Sequence, residues 1–318
     1  STDRAVGAEL DRCAAADDRF RLIRRELNGG IAAATNDGLD AATGDVVVFC
    51  DHDDLLAPTA FAAIDRHLRR HPDDDVVYTD EQLIDEHGRT LHEYRKPAWS
   101  PQRMLGHNYF NHLVAVRRST IGDTRVRTAF EPAQDWDFLL RVIPRARGVG
   151  HIPEMLYSWR AITGSTALDA SEKPEVFEAI RRTAEDALDR MGEPGTVEVV
   201  RQADGSPATG VRIDRPGDPS IVADLVTFDD SSTVADLVEA VAASTADVIT
   251  LLHRDSHLDE HDHRLLVTEA TRPTVGAAGP AVVTSDGRFV SVGRSVWPTL
   301  HDPCLLYTSD AADDSVYV

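Results

Sequence analysis

The sequence predicts an α/β protein on a doubly wound sheet, and three observations carry that prediction. Short apolar runs at 21–24, 46–50, 75–79 and 113–116 alternate with helical patterns, the order of βα units rather than of hairpins. Turn signals such as Asn28-Gly29-Gly30 and Thr43-Gly44-Asp45 open the elements between them. The strongest run, Val46-Val47-Val48-Phe49-Cys50, passes straight into Asp51-His52-Asp53-Asp54. A strand that is apolar throughout reads as buried and parallel, and its carboxyl end faces the crevice where open α/β sheets bind ligands.

Bulk properties narrow the function. The chain has 318 residues, room for two domains, and no apolar stretch of membrane-spanning length. Lys+Arg 33 against Asp+Glu 54 gives a net charge of −21, which excludes the basic face that nucleic acid or an amphipathic membrane anchor requires. An acidic chain that handles phosphates needs local cations or a metal. Cys13, Cys50 and Cys304 are scattered and odd in number, so neither a disulfide framework nor a cysteine zinc site is expected. The predicted location is cytoplasmic.

Taken in order, an amphipathic helix over about Arg4 to Ala15 precedes the strand at 21–24, and Asn28-Gly29-Gly30 starts a small-residue helix over 31–42. After the central run, Pro58 pre-sets the first turn of a helix over 59–70. In an extended segment Asp51 and Asp53 point the same way and converge on one ion. Two hard oxygen ligands suit Mg²⁺ or Mn²⁺ that carries a substrate diphosphate. The plainer reading is that these acids solvate a loop and favour the next helix N-terminus. Residues 81–119 read as an irregular binding loop rich in aromatics, His and Asn, including His107 and His112, whose spacing matches no usual zinc pattern.

Two later motifs complete the inventory. Trp136, Leu139, Leu140 and Ile143 recur at helical spacing, with Asp135 and Asp137 in the first turn. These acids complement the helix dipole, or one of them is a general base. In Tyr157-Ser158-Trp159-Arg160, Arg160 offers a charge-assisted contact to phosphate and Trp159 a stacking face for a sugar. An aromatic packing residue beside an exposed arginine fits the same sequence.

In register, Asn28-Gly29-Gly30 with Asn36, Asp51-His52-Asp53-Asp54, Gln134-Asp135-Trp136-Asp137 and Tyr157-Ser158-Trp159-Arg160 closely resemble family-2 glycosyltransferases of the GT-A fold. The likeness is to bacterial O-antigen and cell-wall polysaccharide enzymes, and it covers roughly residues 1 to 190. It implies a Rossmann-like mixed sheet with helices on both faces. It also implies inverting transfer of a sugar from a nucleotide-diphosphate donor to a saccharide or lipid-linked saccharide acceptor. The resemblance makes Asp51 and Asp53 the ligands of Mg²⁺ or Mn²⁺, and Asp135 the catalytic base, with Gln134 replacing the more usual Glu. Asn28, Gly30, Asn36, Asp51, His52, Asp53, Trp159 and Arg160 become donor contacts. Asp137, Trp136 and His112 fall on the acceptor side. Ser1-Thr2-Asp3 looks like the end of a turn that grips the nucleotide base, so the chain is expected to be a fragment lacking its first strand.

A second copy follows. Thr245-Ala246-Asp247-Val248-Ile249-Thr250-Leu251-Leu252-His253-Arg254-Asp255 parallels Thr43 to Asp53 at a shift of 202 residues (Asp247 against Asp45). Its metal motif reads His253-Arg254-Asp255, a cation where a carboxylate is needed. The expected organisation is a GT-A domain over 1–195, a linker or loose hairpin over 196–220, a partial degenerate GT-A-like domain over 221–303, and a non-native tail over 304–318. The leading expectation is a metal-dependent glycosyltransferase of bacterial surface polysaccharide synthesis, peripheral to the inner face of the membrane through partners. The alternative is an inactive carbohydrate- or nucleotide-binding or scaffold domain of that fold. A metal-dependent phosphohydrolase ranks last, for want of a nucleophile motif.

Overall fold

The computed structural model describes residues 4–161, 174–201, 207–272, 278, 282–283 and 289–291. The expected tail, the Ser1-Thr2-Asp3 turn and most of the later strand expected at 275–280 lie outside these residues. Two compact units divide the chain, Ser1–Ala187 and Leu188–Val318.

The first unit runs α1 (Arg4–Ala16), α2 (Gly30–Ala41), β1 (Val46–Phe49), β2 (Leu55–Leu56), α3 (Ala60–Arg70), β3 (Asp74–Ile84), β4 (Thr90–Tyr94), α4 (Pro101–Gly106), β5 (Val114–Arg117), α5 (Arg118–Ile121), α6 (Gln134–Val142), β6 (Gly148–Arg160) and α7 (Pro174–Met191), in which the boundary falls. One mixed sheet holds its six strands in the order β1-β5-β3-β6-β2, with β4 paired to β3. β3 is the spine. It pairs antiparallel with β5 and β4 and parallel with β6, and Val76, Val77, Tyr78 and Thr79 are buried. Ala60, Ala63 and Ile64 of α3 pack on Val77, Leu113, Ala115, Ile152, Leu156 and Tyr157. Each such large apolar side chain contributes on the order of 1.5–3 kcal/mol. Gly150 is required where β6 passes α3, because a Cβ there would lie 2.2 Å from His67 Nε2.

Three expectations are corrected. The apolar run at 46–49 is not a buried parallel strand: β1 is a half-buried edge whose ladder is antiparallel to β5. Residues 21–24 form no ladder; their arginines instead bond outward, Arg21 to the Ala41 carbonyl at 2.8 Å and Arg24 to Asp11 at 2.7 Å. A strand exists only through a partner's hydrogen bonds, and no strand among the described residues takes this segment as neighbour. The stretch 81–119, expected to be irregular apart from the strand at 113–116 that β5 matches, also contains the end of β3, its hairpin partner β4 and α4. β4 is largely exposed and mostly polar, which hides its period from an apolar count.

In the second unit β7 (Thr196–Arg201) and β8 (Pro207–Asp214) form an antiparallel hairpin within the stretch read as linker or loose hairpin. β9 (Ala223–Phe228), α8 (Val234–Ala243) and β10 (Val248–His253) follow, with β9 and β10 parallel in register from Ala223↔Val248 to Phe228↔His253. Thr233 and Asp236 cap α8 reciprocally. α9 (Glu260–Ala270), β11 (Val282–Val283) and β12 (Phe289–Ser291) complete it.

Candidate functional site

Beyond β1 the chain turns rather than staying extended: the Asp54 N–H reaches the Asp51 carbonyl at 3.4 Å. The alternation argument for Asp51 and Asp53 therefore fails, and three neighbouring acids take three directions. Asp54 is the structural one. The Tyr157 hydroxyl donates to its Oδ2 and the Arg160 N–H to its Oδ1 at 2.8 Å, while the Asp51 N–H donates to the Tyr157 hydroxyl at 3.2 Å. Burial raises the Asp54 pKa, with the Tyr157 bond opposing it. This knot ties the turn to the end of β6. Asp53 meets only His52, 3.7 Å away and itself exposed, and Asp51 faces His112, with 3.6 Å between Oδ2 and Nε2.

His112 is the centre of the arrangement. Its ring stacks on Tyr157 (4.9 Å between centroids, 16° between planes) and tilts against Trp159 at 6.0 Å. Nδ1 lies 3.4 Å from Glu81 Oε2, which also accepts the His112 N–H. Burial alone would depress the imidazole pKa, but the Glu81 bond and charge, with Asp51 and Asp135, outweigh it and raise the value. Glu81 stands 3.8 Å from the buried Lys96 Nζ, whose pKa burial pushes down to about 8.

Asp135 and Asp137, two positions apart on α6, meet opposite fates. A helix turns about 100° per residue, so the two side chains diverge by roughly 200°. Asp135 faces the His112 region and accepts from Asn108 Nδ2 at 3.2 Å. Burial raises its pKa, opposed by the Trp136 N–H and the His112 charge, while Asp51 pushes it up further. Asp137 is 0% exposed and gripped by Arg127 and Arg141, the latter at 2.7 Å, with Arg127 continuing to Asp186 at 2.7 Å. Trp136 is in the core, its indole N–H on the Met104 carbonyl at 2.8 Å. Neither Asp137 nor Trp136 presents a surface to an acceptor, so of the three acceptor-side candidates only His112 lies in the site.

The donor candidates at α2 are also placed elsewhere. Asn28 Oδ1 accepts the Gly30 N–H at 3.0 Å, and Gly30 sits at φ +78°. The Glu131 carboxylate accepts the Ala32 N–H at 2.8 Å and occupies the helix N-terminus, so close that a Cβ on Gly30 would lie 3.0 Å from it. Asn36 clamps the Val126 backbone, donating at 2.9 Å and accepting at 2.8 Å. These residues hold the loop leading into α6. Trp159 reaches the site through its ring and Arg160 through its backbone N–H on Asp54, and no ion pair of the Arg160 guanidinium is found among the described residues.

Among the described residues no three His, Cys, Asp or Glu side chains converge on a metal position. Asp51 and Asp53 are two accessible carboxylates. That donor set fits a Mg²⁺ or Mn²⁺ that completes its sphere with phosphate and water oxygens, rather than a resident ion in an all-protein cage. Glu81, Lys96 and Asn108 were missed by sequence reasoning. The polar cluster His107-Asn108 to Asn111-His112 was their available signal, but only the β3–β5 pairing brings Glu81 beside it.

Residues 1–118 match the family model described as Glycosyl transferase family 2. The chain is 31% identical over 351 residues to the uncharacterized protein y4gI of Sinorhizobium fredii, covering 92% of this chain and 39% of that one. It is 32% identical over 189 residues to the O-antigen biosynthesis protein RfbC of Myxococcus xanthus, covering 59% of this chain and 15% of that one. It thus spans well under half the length of either relative. Among solved structures, S. aureus TarS 1-349 in complex with UDP aligns over 59% of this chain and 54% of that chain, with 18% identity and a TM-score of 0.44. The mixed α/β sheet expected of the GT-A type is present in the first unit, and residues 1–118 are similar to glycosyl transferase family 2 domains.

Proposed function

We propose that the first unit transfers a sugar, with inversion, from a nucleotide-diphosphate donor to a saccharide or lipid-linked saccharide acceptor in bacterial surface polysaccharide synthesis. The supporting observation is that Asp51 and Asp135, which are 84 residues apart (135 − 51), both act on His112, Asp51 at 3.6 Å and Asp135 through its charge. The desolvated Asp135 is the general base. It takes the acceptor hydroxyl proton as that oxygen bonds to the donor anomeric carbon, and the bond to the diphosphate breaks with its electron pair on the departing oxygen. A raised carboxylate pKa strengthens the base, and placement within reach of the reacting hydroxyl supplies the rest. Asp51 and Asp53 would hold a divalent metal, which would supply charge neutralisation at the diphosphate. Arg160, with no anionic partner among the described residues, takes a phosphate oxygen, and Trp159 offers its face to the sugar.

No helix among the described residues is long and apolar enough to cross a membrane. The proposed setting is cytoplasmic, with membrane contact through partners. Calorimetric titration with UDP and dTDP, with and without Mn²⁺, tests the donor site. Metal-dependent binding that Asp53→Ala abolishes is the expected result. Equal binding with and without metal, unchanged in that variant, would remove Asp51 and Asp53 from the donor site.

A further inference from the structure

We propose that Glu81 and Lys96 are positioning residues that hold His112 against Asp51, making its imidazole a fixed wall of the donor subsite. The inference rests on the donor-site reading above. It starts from a buried pair that is hard to explain by stability. The side chains of Lys96 and Glu81 are 5% and 7% exposed, with 3.8 Å between Nζ and Oε1. Taking two charges out of water costs several kcal/mol per ion, and such pairs are often no more stable than apolar residues of the same volume.

What the pair does hold is one short stretch of chain. Lys96 Nζ donates to the carbonyls of Phe110 at 2.9 Å and His112 at 2.6 Å. Glu81 takes the backbone N–H of His112 and faces its Nδ1. The backbone of His112 is thus fixed from the end of β3, with the Glu81 carboxylate 3.4 Å from a ring nitrogen that makes no hydrogen bond of its own, and Tyr157 fixes the ring plane. The remaining nitrogen, Nε2, faces Asp51. Asp80, the neighbour of Glu81, anchors the other end of the segment: its Oδ1 accepts the Lys96 N–H at 3.0 Å and meets His151 Nε2 at 2.7 Å. Between these anchors lies Asn108, which donates to Asp135. The two adjacent acids of β3 therefore tether the segment that touches both the donor acid and the base.

Ring-nitrogen NMR on histidine-labelled protein without ligand reads the positioning directly, with the His112 signals assigned by their loss in His112→Gln. Glu81→Gln keeps an acceptor for the backbone N–H and removes the charge; Lys96→Met removes the ammonium. Both are expected to shift the His112 ring resonances and leave those of exposed histidines in place. His112 resonances unmoved in folded Glu81→Gln would overturn the proposal, whether or not any nucleotide binds. Titration with UDP and Mn²⁺ then reads the consequence. Glu81→Gln and His112→Gln should each weaken binding, roughly ten- to a hundredfold by analogy with outer-shell partners of metal ligands. The double variant should bind no more weakly than His112→Gln alone. Losses that multiply would show that Glu81 does not act through His112, and would overturn the proposal. Absence of UDP and dTDP binding by the unaltered chain would overturn the donor-site reading instead, and the ring resonances would still decide the positioning.

Discussion

Two strands of this chain end in corresponding sequence, and among the described residues the end of β1 gathers side chains from beyond its neighbouring strand while the end of β10 closes on its neighbour's turn. After β1, Asp51 and Asp54 meet groups from elsewhere in the sheet: His112 beyond α4, Tyr157 and the Arg160 N–H from β6. After β10, the positions of Asp51 and His52 hold His253 and Arg254, and each closes on the turn that follows β9, His253 on Asp230 at 3.3 Å and Arg254 on Asp229 at 2.9 Å. The preceding elements also differ. β9 pairs in parallel with β10, whereas the segment at the same shift, 21–26, forms no ladder with β1. Acids at a strand end acquire chemistry when other strands desolvate them and set an opposite charge beside them. Without that wall they satisfy their own turn.

The walled side is broken most severely at Asp135. Asp135→Asn keeps the shape and removes the base, so transfer should fall by about 10²–10⁴-fold, measured as initial rate at saturating donor. The same change should raise stability near neutral pH. Burial raises the folded-state pKa of Asp135 above its ordinary value, so its ionised form is a cost in the folded state at pH above that pKa. Asparagine removes the cost. The gain in melting temperature over the unaltered chain should be full at pH 7, begin to shrink as pH falls to the raised pKa, and vanish below the ordinary carboxylate value, where Asp135 is neutral in both states. A variant less stable than the parent at pH 7 would mean that the His112 charge, not desolvation, dominates at this carboxyl.

Much of this arrangement was legible beforehand, and what was not shares a cause. The helices at 4–16, 30–41, 60–70 and 134–142 follow from local apolar spacing and turn residues. Local sequence also locates Asp51 and Asp135, but it does not say which side of α6 faces the sheet. Asp135 and Asp137 therefore looked equivalent until the fold set Arg127 and Arg141 against one of them. Asn28, Gly30 and Asn36 were read as donor contacts from their motif. Their partners, Glu131 and Val126, are about a hundred residues away in the chain and were invisible to spacing. Glu81 belonged to no motif, because its partners Lys96 and His112 are reached only across the hairpin and the β3–β5 ladder.

Asp137 is an acid with a complete wall and no opening, so it separates desolvation from chemistry. Asp137→Ala leaves the Arg127 and Arg141 guanidiniums, both sheltered, without their shared carboxylate. Breaking a buried pair by removing one partner costs about 3–5 kcal/mol, to be read from chemical denaturation. Loss of that size with nucleotide affinity retained in the folded protein would place Asp137 in the scaffold. A stable variant that had lost nucleotide affinity would return it to the site.

The smallest effect is expected on the unwalled side. Arg254 is 70% exposed, and its contact with Asp229 is a surface ion pair. Arg254→Ala should change stability by no more than about 1 kcal/mol, and by less at high salt. Arg254→Asp sharpens the comparison further, because it places a second acid next to Asp255, at the position that matches His52, without supplying anything that plays the part of His112 or Tyr157. If carboxylates alone made the site, this variant would add a metal-dependent nucleotide per chain in calorimetric titration. The wall argument predicts an unchanged stoichiometry: the added charge faces Asp229 and Asp230, like charges that repel it into solvent, where a carboxylate is well hydrated and has little reason to bind a diphosphate-bound cation.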